Sequence, residues 1–330
     1  MRIAVIGAGS WGTTVASLAA ANTTTILWAR NPSVAEEINS AHTNSAYLPG
    51  FDLPTALEAT HELADAIHAA DLVVMGVPSH GFREVIASVA VYLDASVPVI
   101  SLTKGVEQGT NARMTEILRE LLPLNPIGVL SGPNLAKEVM AGHPTGAVIA
   151  MTDQLVSARV QLAISSPAFR VYSNTDVIGA ELGGAFKNVI AIAAGMVDGM
   201  GFGDNTKATL ITRGLNELAR LGAALGGKVP TFGGLAGLGD LIATCSSRQS
   251  RNRFVGEELG RGRVLGDIIG EMKMVAEGVK SCGPVHEIAV AHGLELPIVA
   301  QVARVVCDGV SAHDALQALL ARPATSELFS

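Results

Sequence analysis

Apolar residues in the first half of the chain fall into short β-branched runs. Between these runs they recur every three or four positions. Arg2-Ile3-Ala4-Val5-Ile6 is such a run, as expected of a strand buried on both faces. Further strands are predicted over 25–29, 72–77, 97–103, 127–131, 146–151 and 169–172, with helices between most of them, including 32–41, 62–69 and 110–121. Such alternation predicts an α/β fold with a doubly wound, mainly parallel sheet. After Thr175 strand signals vanish. Helix-period segments between glycine-rich turns cover 177–197, 207–225, 238–246, 251–260, 265–272, 284–292, 298–308 and 312–320. Residues 322–330 read as a frayed tail.

The first strand runs into Gly7-Ala8-Gly9-Ser10-Trp11-Gly12, and a helix follows over 13–21. This G-x-G-x-x-G makes the sheet Rossmann-like. Gly7 allows the tight turn, Gly9 lets the backbone approach a pyrophosphate, and Gly12 lets the helix pack on the strand. Free N–H groups and the dipole at the helix start favour phosphates. We therefore expect a dinucleotide-binding domain over 1–176, an all-helical substrate-binding domain over 177–330, and a cleft between them. NAD-binding members of this fold carry an acid at the end of the second strand, where it bonds the ribose 2′-hydroxyl. Here Arg30 and Asn31 stand in that place. A guanidinium pairs with a 2′-phosphate, so NADP(H) is the expected cofactor, with NAD(H) tolerated.

The chain has 330 residues, enough for two cores, and 48% are hydrophobic with only 4% aromatic. Its mean hydropathy of +0.38 suits an aliphatic interior and leaves some excess for a homodimer interface. No uninterrupted apolar run reaches the roughly 18–20 residues of a membrane span, because Glu181 and Lys187 break the most apolar helix, 177–197. No stable membrane insertion is expected. The fold starts at residue 1, which leaves no room for a signal peptide, so a cytoplasmic location is expected. A net charge of −7 argues against nucleic-acid binding. Cys245, Cys282 and Cys307 are odd in number and far apart in sequence, which fits reduced thiols without a zinc signature. His80, after the strand ending at Val77, reads as a solvated loop residue.

Reducing a carbonyl needs a proton donor and positive charge near the developing alkoxide. Catalytic zinc lacks its ligand set, and no tyrosine is followed by lysine four residues on. Lysine remains. Lys104 follows a predicted strand in Ser101-Leu102-Thr103-Lys104-Gly105, at the sheet edge where ligands bind in open α/β folds. Lys187 lies within a helix, on one face with Gly184, Ala191 and Ala194. Small neighbours around a charge suggest that another molecule approaches there. Ser250 is placed as an N-cap. Arg248, Arg251 and Arg253 crowd that helix start, where the dipole disfavours cations unless an anion is present. A small phosphorylated substrate is the economical candidate.

Taken in order, GAGSWGT, SLTKG, SGPNLAKEV, GGAFKNVIAIAAGMVDG, GLAGLGDL, SRQSRNR and VAEG span nearly the whole chain. With them the sequence resembles the NAD(P)-dependent glycerol-3-phosphate dehydrogenases of the bacterial type. The resemblance implies interconversion of sn-glycerol 3-phosphate and dihydroxyacetone phosphate, supplying glycerol 3-phosphate for phospholipid synthesis. It implies that Ser10, Trp11 and Arg30 hold the adenylate half of the cofactor, and that Lys104 touches cofactor and substrate. Gly132 and Asn134 would meet substrate and Ala136 the cofactor. Lys187 would be the proton acceptor in oxidation, with Asn188 and Asp240 beside it. Ser250, Arg251 and Asn252 would bind the phosphate, Arg251 also reaching the cofactor, and Val275 and Glu277 would complete the nicotinamide side. Lys104 is expected to depress the Lys187 pKa by repulsion, with Asp240 opposing it. Two readings compete: a β-hydroxyacid dehydrogenase with a carboxylate in the anion site, and a non-catalytic NADP(H) sensor.

Overall fold

The computed structural model describes residues 1–272 and 276–323. The chain opens on β1 (Arg2–Ile6), α1 (Ser10–Ala20), β2 (Thr24–Trp28), α2 (Pro32–Ala41), β3 (Leu57–Thr60), α3 (Leu63–Ile67), β4 (Leu72–Met75) and α4 (Phe82–Ala90). It continues through β5 (Val99–Ser101), α5 (Met114–Leu121), β6 (Ile127–Ser131), α6 (Ala136–Met140), β7 (Thr145–Met151), α7 (Gln154–Ile164) and β8 (Phe169–Asn174). The strands form one sheet in the order β3-β2-β1-β4-β5-β6-β7-β8. Every pairing is parallel except β6 with β7. Strand order reverses direction at β1, between β2 and β4, and in such sheets that switch point opens a crevice beyond the carboxyl ends of the strands. Two apolar layers cover the sheet faces, one around Val5, Leu27 and Ile149, the other around Ile6, Met75 and Ile117.

The edge strand β3 is not predicted by the hydrophobic pattern. It is four residues long, and only Leu57 and Ala59 are buried, so two apolar positions carry the whole signal.

Among the described residues nine helices follow: α8 (Val177–Gly199), α9 (Asp204–Ala224), α10 (Val229–Phe232), α11 (Asp240–Ser246), α12 (Arg251–Gly260), α13 (Leu265–Glu271), α14 (Glu277–Ala291), α15 (Pro297–Asp308) and α16 (Ala312–Leu320). Helix α8 is the axis of this half. It is long and apolar enough to cross a membrane, yet 94% of its most apolar window is buried among the other helices. Asp176 caps its start, accepting from Gly179 N at 2.9 Å, Lys228 N at 2.8 Å and Thr231 Oγ1 at 2.6 Å. Further along, buried Glu181 accepts from Arg113 Nη1 (2.7 Å), Thr115 Oγ1 (2.6 Å) and Thr115 N (2.8 Å). This ion pair ties α8 to the start of α5 in the sheet half, fixing where Lys187 lies relative to the strand ends.

Helix α14 starts seven residues before the predicted 284. Pro284 suits a first helical turn, but it lies inside α14. A proline there leaves the carbonyl four residues back without its helical donor. Gln108 Nε2 donates to that carbonyl, Lys280 O, at 3.4 Å. Tertiary contact overrides the local signal.

Candidate active site

The β1–α1 turn is built as its glycines require. Gly7 has φ +117°, and a side chain there would press on the Gly76 carbonyl, 2.8 Å away. A Cβ on Gly12 would collide with the Gly7 carbonyl oxygen. At Gly9 the space ahead is open, and the first turn of α1 faces it with N–H groups that lack helical partners. Ser10 Oγ donates to Tyr47 O at 2.6 Å, pinning the 42–53 loop over the turn. Trp11 packs tilted on Phe169 at 6.1 Å. Its buried Nε1 has no hydrogen-bond partner among the described residues, and neither end of the buried Asn134 amide has one. The orphaned Trp11 donor in an open glycine turn fits a dinucleotide. Arg30 is exposed at the end of β2, next to Asn31, which caps α2 by accepting from Ser33 N at 3.1 Å.

At the carboxyl edge of the sheet Lys104 follows β5. Its Nζ donates to Gly132 O at 2.9 Å and to Asp240 Oδ2 at 2.7 Å. Lys187 Nζ, from α8, donates to the other oxygen, Asp240 Oδ1, at 2.6 Å and to Thr244 Oγ1. One carboxylate thus holds two ammonium groups, one from each half of the molecule. Lys187 is 6% exposed and Asp240 1%, so neither points into bulk solvent. Burial lowers the Lys187 pKa to about 8, Lys104 adds to that, and Asp240 opposes both. The expectation sets repulsion by Lys104 against attraction by Asp240 and leaves their balance open. The larger cause is desolvation, which sequence spacing does not report.

A chain of amides links this cluster to α12 and α14. Asn188 Nδ2 donates to Lys104 O at 3.2 Å, Asn252 Nδ2 to Asn188 Oδ1 at 2.9 Å, and Gly278 N to Asn252 Oδ1 at 2.9 Å. Ser250 caps α12, accepting from Arg253 N at 3.2 Å. Arg251 projects from the first turn, solvent-accessible. Surrounding protein depresses its pKa by desolvation, with Glu277 opposing. Glu277 opens α14 and accepts from Ser79 Oγ at 2.6 Å. Ala136 begins α6, just past Gly132 and Asn134 on the β6–α6 loop. Of the predicted site residues, Val275 lies outside the described residues.

Two inferences from the residues need correction. The small neighbours of Lys187 do not clear a path for a ligand. A Cβ on Gly183 would meet Ala236 O at 2.6 Å, and one on Gly184 would meet Ser131 Oγ at 2.7 Å with the Lys104 stem behind it. They admit the irregular turn Leu235–Gly239 and the second lysine. Nor does Arg253 contribute to an anion site. It is buried, donating to Ser247 O at 3.0 Å and Asp198 Oδ2 at 2.8 Å and pairing with Glu257 at 2.9 Å. The cations at the start of α12 without an ion pair among the described residues are then Arg248 and Arg251.

Thr244 and Ser79 were not picked out from the sequence. Thr244 lies one helical turn beyond Asp240, a spacing that places both on one face of α11. Ser79 adjoins His80, which is exposed.

The chain matches the NAD-dependent glycerol-3-phosphate dehydrogenase N-terminus over residues 2–157 and the corresponding C-terminus over 176–317. It is 51% identical over 320 residues to glycerol-3-phosphate dehydrogenase [NAD(P)+] 2 of Sphingopyxis alaskensis, covering 97% of this chain and 96% of the relative. It is 50% identical over 322 residues to glycerol-3-phosphate dehydrogenase [NAD(P)+] 1 of Mycobacterium tuberculosis, covering 97% and 94%. The crystal structure of glycerol-3-phosphate dehydrogenase from Coxiella burnetii superposes with a TM-score of 0.93 at 38% identity, over 97% of this chain and 99% of that one. By these matches along both halves, the chain belongs to the NAD-dependent glycerol-3-phosphate dehydrogenase family.

Proposed function

We propose that the protein interconverts sn-glycerol 3-phosphate and dihydroxyacetone phosphate with NADP(H), accepting NAD(H) as well. The observation that carries this reading is the buried amine of Lys187, held by Asp240 against Lys104 of the sheet edge. Residues 1–176 would bind the dinucleotide and 177–330 the substrate. Gly7, Gly9, Ser10, Trp11, Gly12, Arg30, Lys104, Ala136, Arg251, Val275 and Glu277 would hold the cofactor, whose nicotinamide supplies or takes up the hydride at the substrate C2. Gly132, Asn134, Asn188, Ser250, Arg251 and Asn252 would seat the substrate, its phosphate at the start of α12, where a helix dipole and a guanidinium meet.

In reduction, Lys187 in its ammonium form donates a hydrogen bond to the carbonyl oxygen and gives up the proton as the alkoxide forms. In oxidation the neutral amine takes the C2 hydroxyl proton. Asp240 orients Nζ through Oδ1, and Thr244 fixes it from a second side. Lys104 adds positive charge where negative charge develops. One ketone, one proton and one hydride, which the reduced nicotinamide would supply, are consumed for each alcohol formed. The setting we propose is cytoplasmic, as a homodimer, with the product feeding phospholipid synthesis.

The test is a spectrophotometric assay at the nicotinamide band. Dihydroxyacetone phosphate should drive NADPH oxidation and small oxo-acids should not. The opposite preference would point to a β-hydroxyacid dehydrogenase, and cofactor binding without turnover on any of these would reject catalysis.

A further inference from the structure

Cys282 and Cys307 lie 25 residues apart, yet the hairpin of α14 and α15 brings them face to face. Their Sγ atoms are 3.9 Å apart. Cys282 is buried, its thiol donating to Val279 O at 3.3 Å, and Cys307 is exposed in the last turn of α15. Position 283 is a glycine, and a Cβ there would touch Cys307 Sγ at 3.5 Å, so nothing bulky separates the sulfurs. One thiol open to solvent beside one that is sheltered is the arrangement in which an accessible cysteine is oxidised first and a neighbour resolves it.

We propose that Cys282 and Cys307 form an oxidisable dithiol, which a hydroperoxide closes into a disulfide strapping α14 to α15. The Cys307 thiol gives up its proton and its sulfur attacks one oxygen of hydrogen peroxide; as the O–O bond breaks Cys307 becomes a sulfenic acid, and the departing hydroxide takes up that proton as one water. The Cys282 sulfur then attacks the Cys307 sulfur, and the hydroxide leaves with the Cys282 proton as a second water. Two thiols lose two electrons and one peroxide is reduced. Burial and the neighbouring Cys307 raise the Cys282 pKa, so Cys282 stays protonated and the exposed Cys307 makes the first attack. Bonding requires the sulfurs to approach from 3.9 Å to about 2.05 Å. That draws on α14 between one and two turns past Glu277 and Gly278, which hold Ser79 and Asn252. Closure therefore pulls on the amide chain that ends beside Lys187.

The experiment treats the full chain with hydrogen peroxide near stoichiometry, then titrates thiols after denaturation and records intact mass and turnover. We expect three titratable thiols to fall to one, a mass loss of about 2 Da, and a 282–307 linkage in a non-reduced digest. Turnover should fall severalfold and return with dithiothreitol. Cys307→Ser, at an exposed position, should keep its untreated turnover and form no internal disulfide. Cys282→Ala should instead form a Cys307 sulfenic acid that a dimedone probe traps. Oxygen addition without loss of two thiols, or an internal disulfide persisting in Cys307→Ser, overturns the proposal. A 282–307 disulfide with unchanged turnover overturns its link to the active site.

Discussion

At the carboxyl edge of the sheet, the groups aimed at an anion belong to the backbone. They are the β1–α1 turn with its three glycines and the first turn of α1. In the helical half the site is instead built of side chains drawn out of water, with Lys187, Asp240 and Thr244 packed inside one bundle. A peptide N–H keeps the same charge at every pH and moves only with the fold. A buried amine changes charge over a narrow pH range and depends on its partner. The first region is therefore suited to holding a charged ligand, and the second to passing a proton. Lys104 joins them, a cation rooted in the sheet that shares the carboxylate of the helices.

Breaking the helical side should cost most in rate. Lys187→Ala is expected to lower kcat by at least about 10²-fold, the usual loss for an acid–base group, while NADPH affinity followed by nicotinamide fluorescence stays close to that of the unmodified protein. Turnover near normal in this variant would move the chemistry elsewhere. Breaking the sheet side should act through binding and folding together. Gly12→Val drives a side chain into the Gly7 carbonyl, and overpacking of this kind costs about 1–3 kcal/mol. Both Tm and NADPH affinity should fall together, and a variant losing neither would show that the turn is not held by that contact.

Arg251→Ala tests the seam between the regions. Removing one charged hydrogen-bonding group costs about 1.5–3 kcal/mol, so the KM for dihydroxyacetone phosphate should rise roughly 10- to 100-fold with a smaller change in kcat. An unchanged KM would exclude the start of α12 as the phosphate seat.

The two regions also differed in how legible they were. The turn was readable because its parts are contiguous: a β-branched run, three spaced glycines and a helix within the first 21 residues. The helical cluster comes from α8, α11 and the loop after β5. Lys187 and Lys104 drew attention singly, as charges in unusual company. The family resemblance places Asp240 beside them; the contact with Thr244 and the depth of burial arise only when α8 packs against the turn at Leu235–Gly239. Spacing cannot give desolvation, which is why the two charged neighbours of Lys187 are foreseen with their balance left open while the main cause of its shift is not. Gly184 misled for the same reason, since a small residue records a close approach without saying what approaches.

That desolvation makes the proton step sensitive to pH. The Lys187 pKa of about 8 lies below the free-lysine value of about 10.4, so the ammonium form dominates below 8 and the neutral amine above it. Oxidation needs the neutral amine, so kcat/KM for glycerol 3-phosphate should climb with pH and level off above about 8. Reduction needs the ammonium form, so kcat/KM for dihydroxyacetone phosphate should be level at lower pH and decline roughly tenfold per unit on the alkaline side. Opposite limbs sharing one midpoint would tie both directions to a single group. Limbs of the same sign would rule that out.

The smallest effect belongs to the most exposed group. Arg30 lies in solvent at the end of β2, where water and salt screen its field, and exposed ion pairs are worth at most about 1 kcal/mol. Arg30→Ala should therefore weaken NADPH binding by about fivefold or less and leave NADH binding unchanged. Raising the salt concentration should erase the difference between the two cofactors in the unmodified protein, because the 2′-phosphate contact is the one screened interaction that they do not share. Equal losses for both cofactors would mean that Arg30 touches a part they share, and selection of the 2′-phosphate would then have to come from the β1–α1 turn itself.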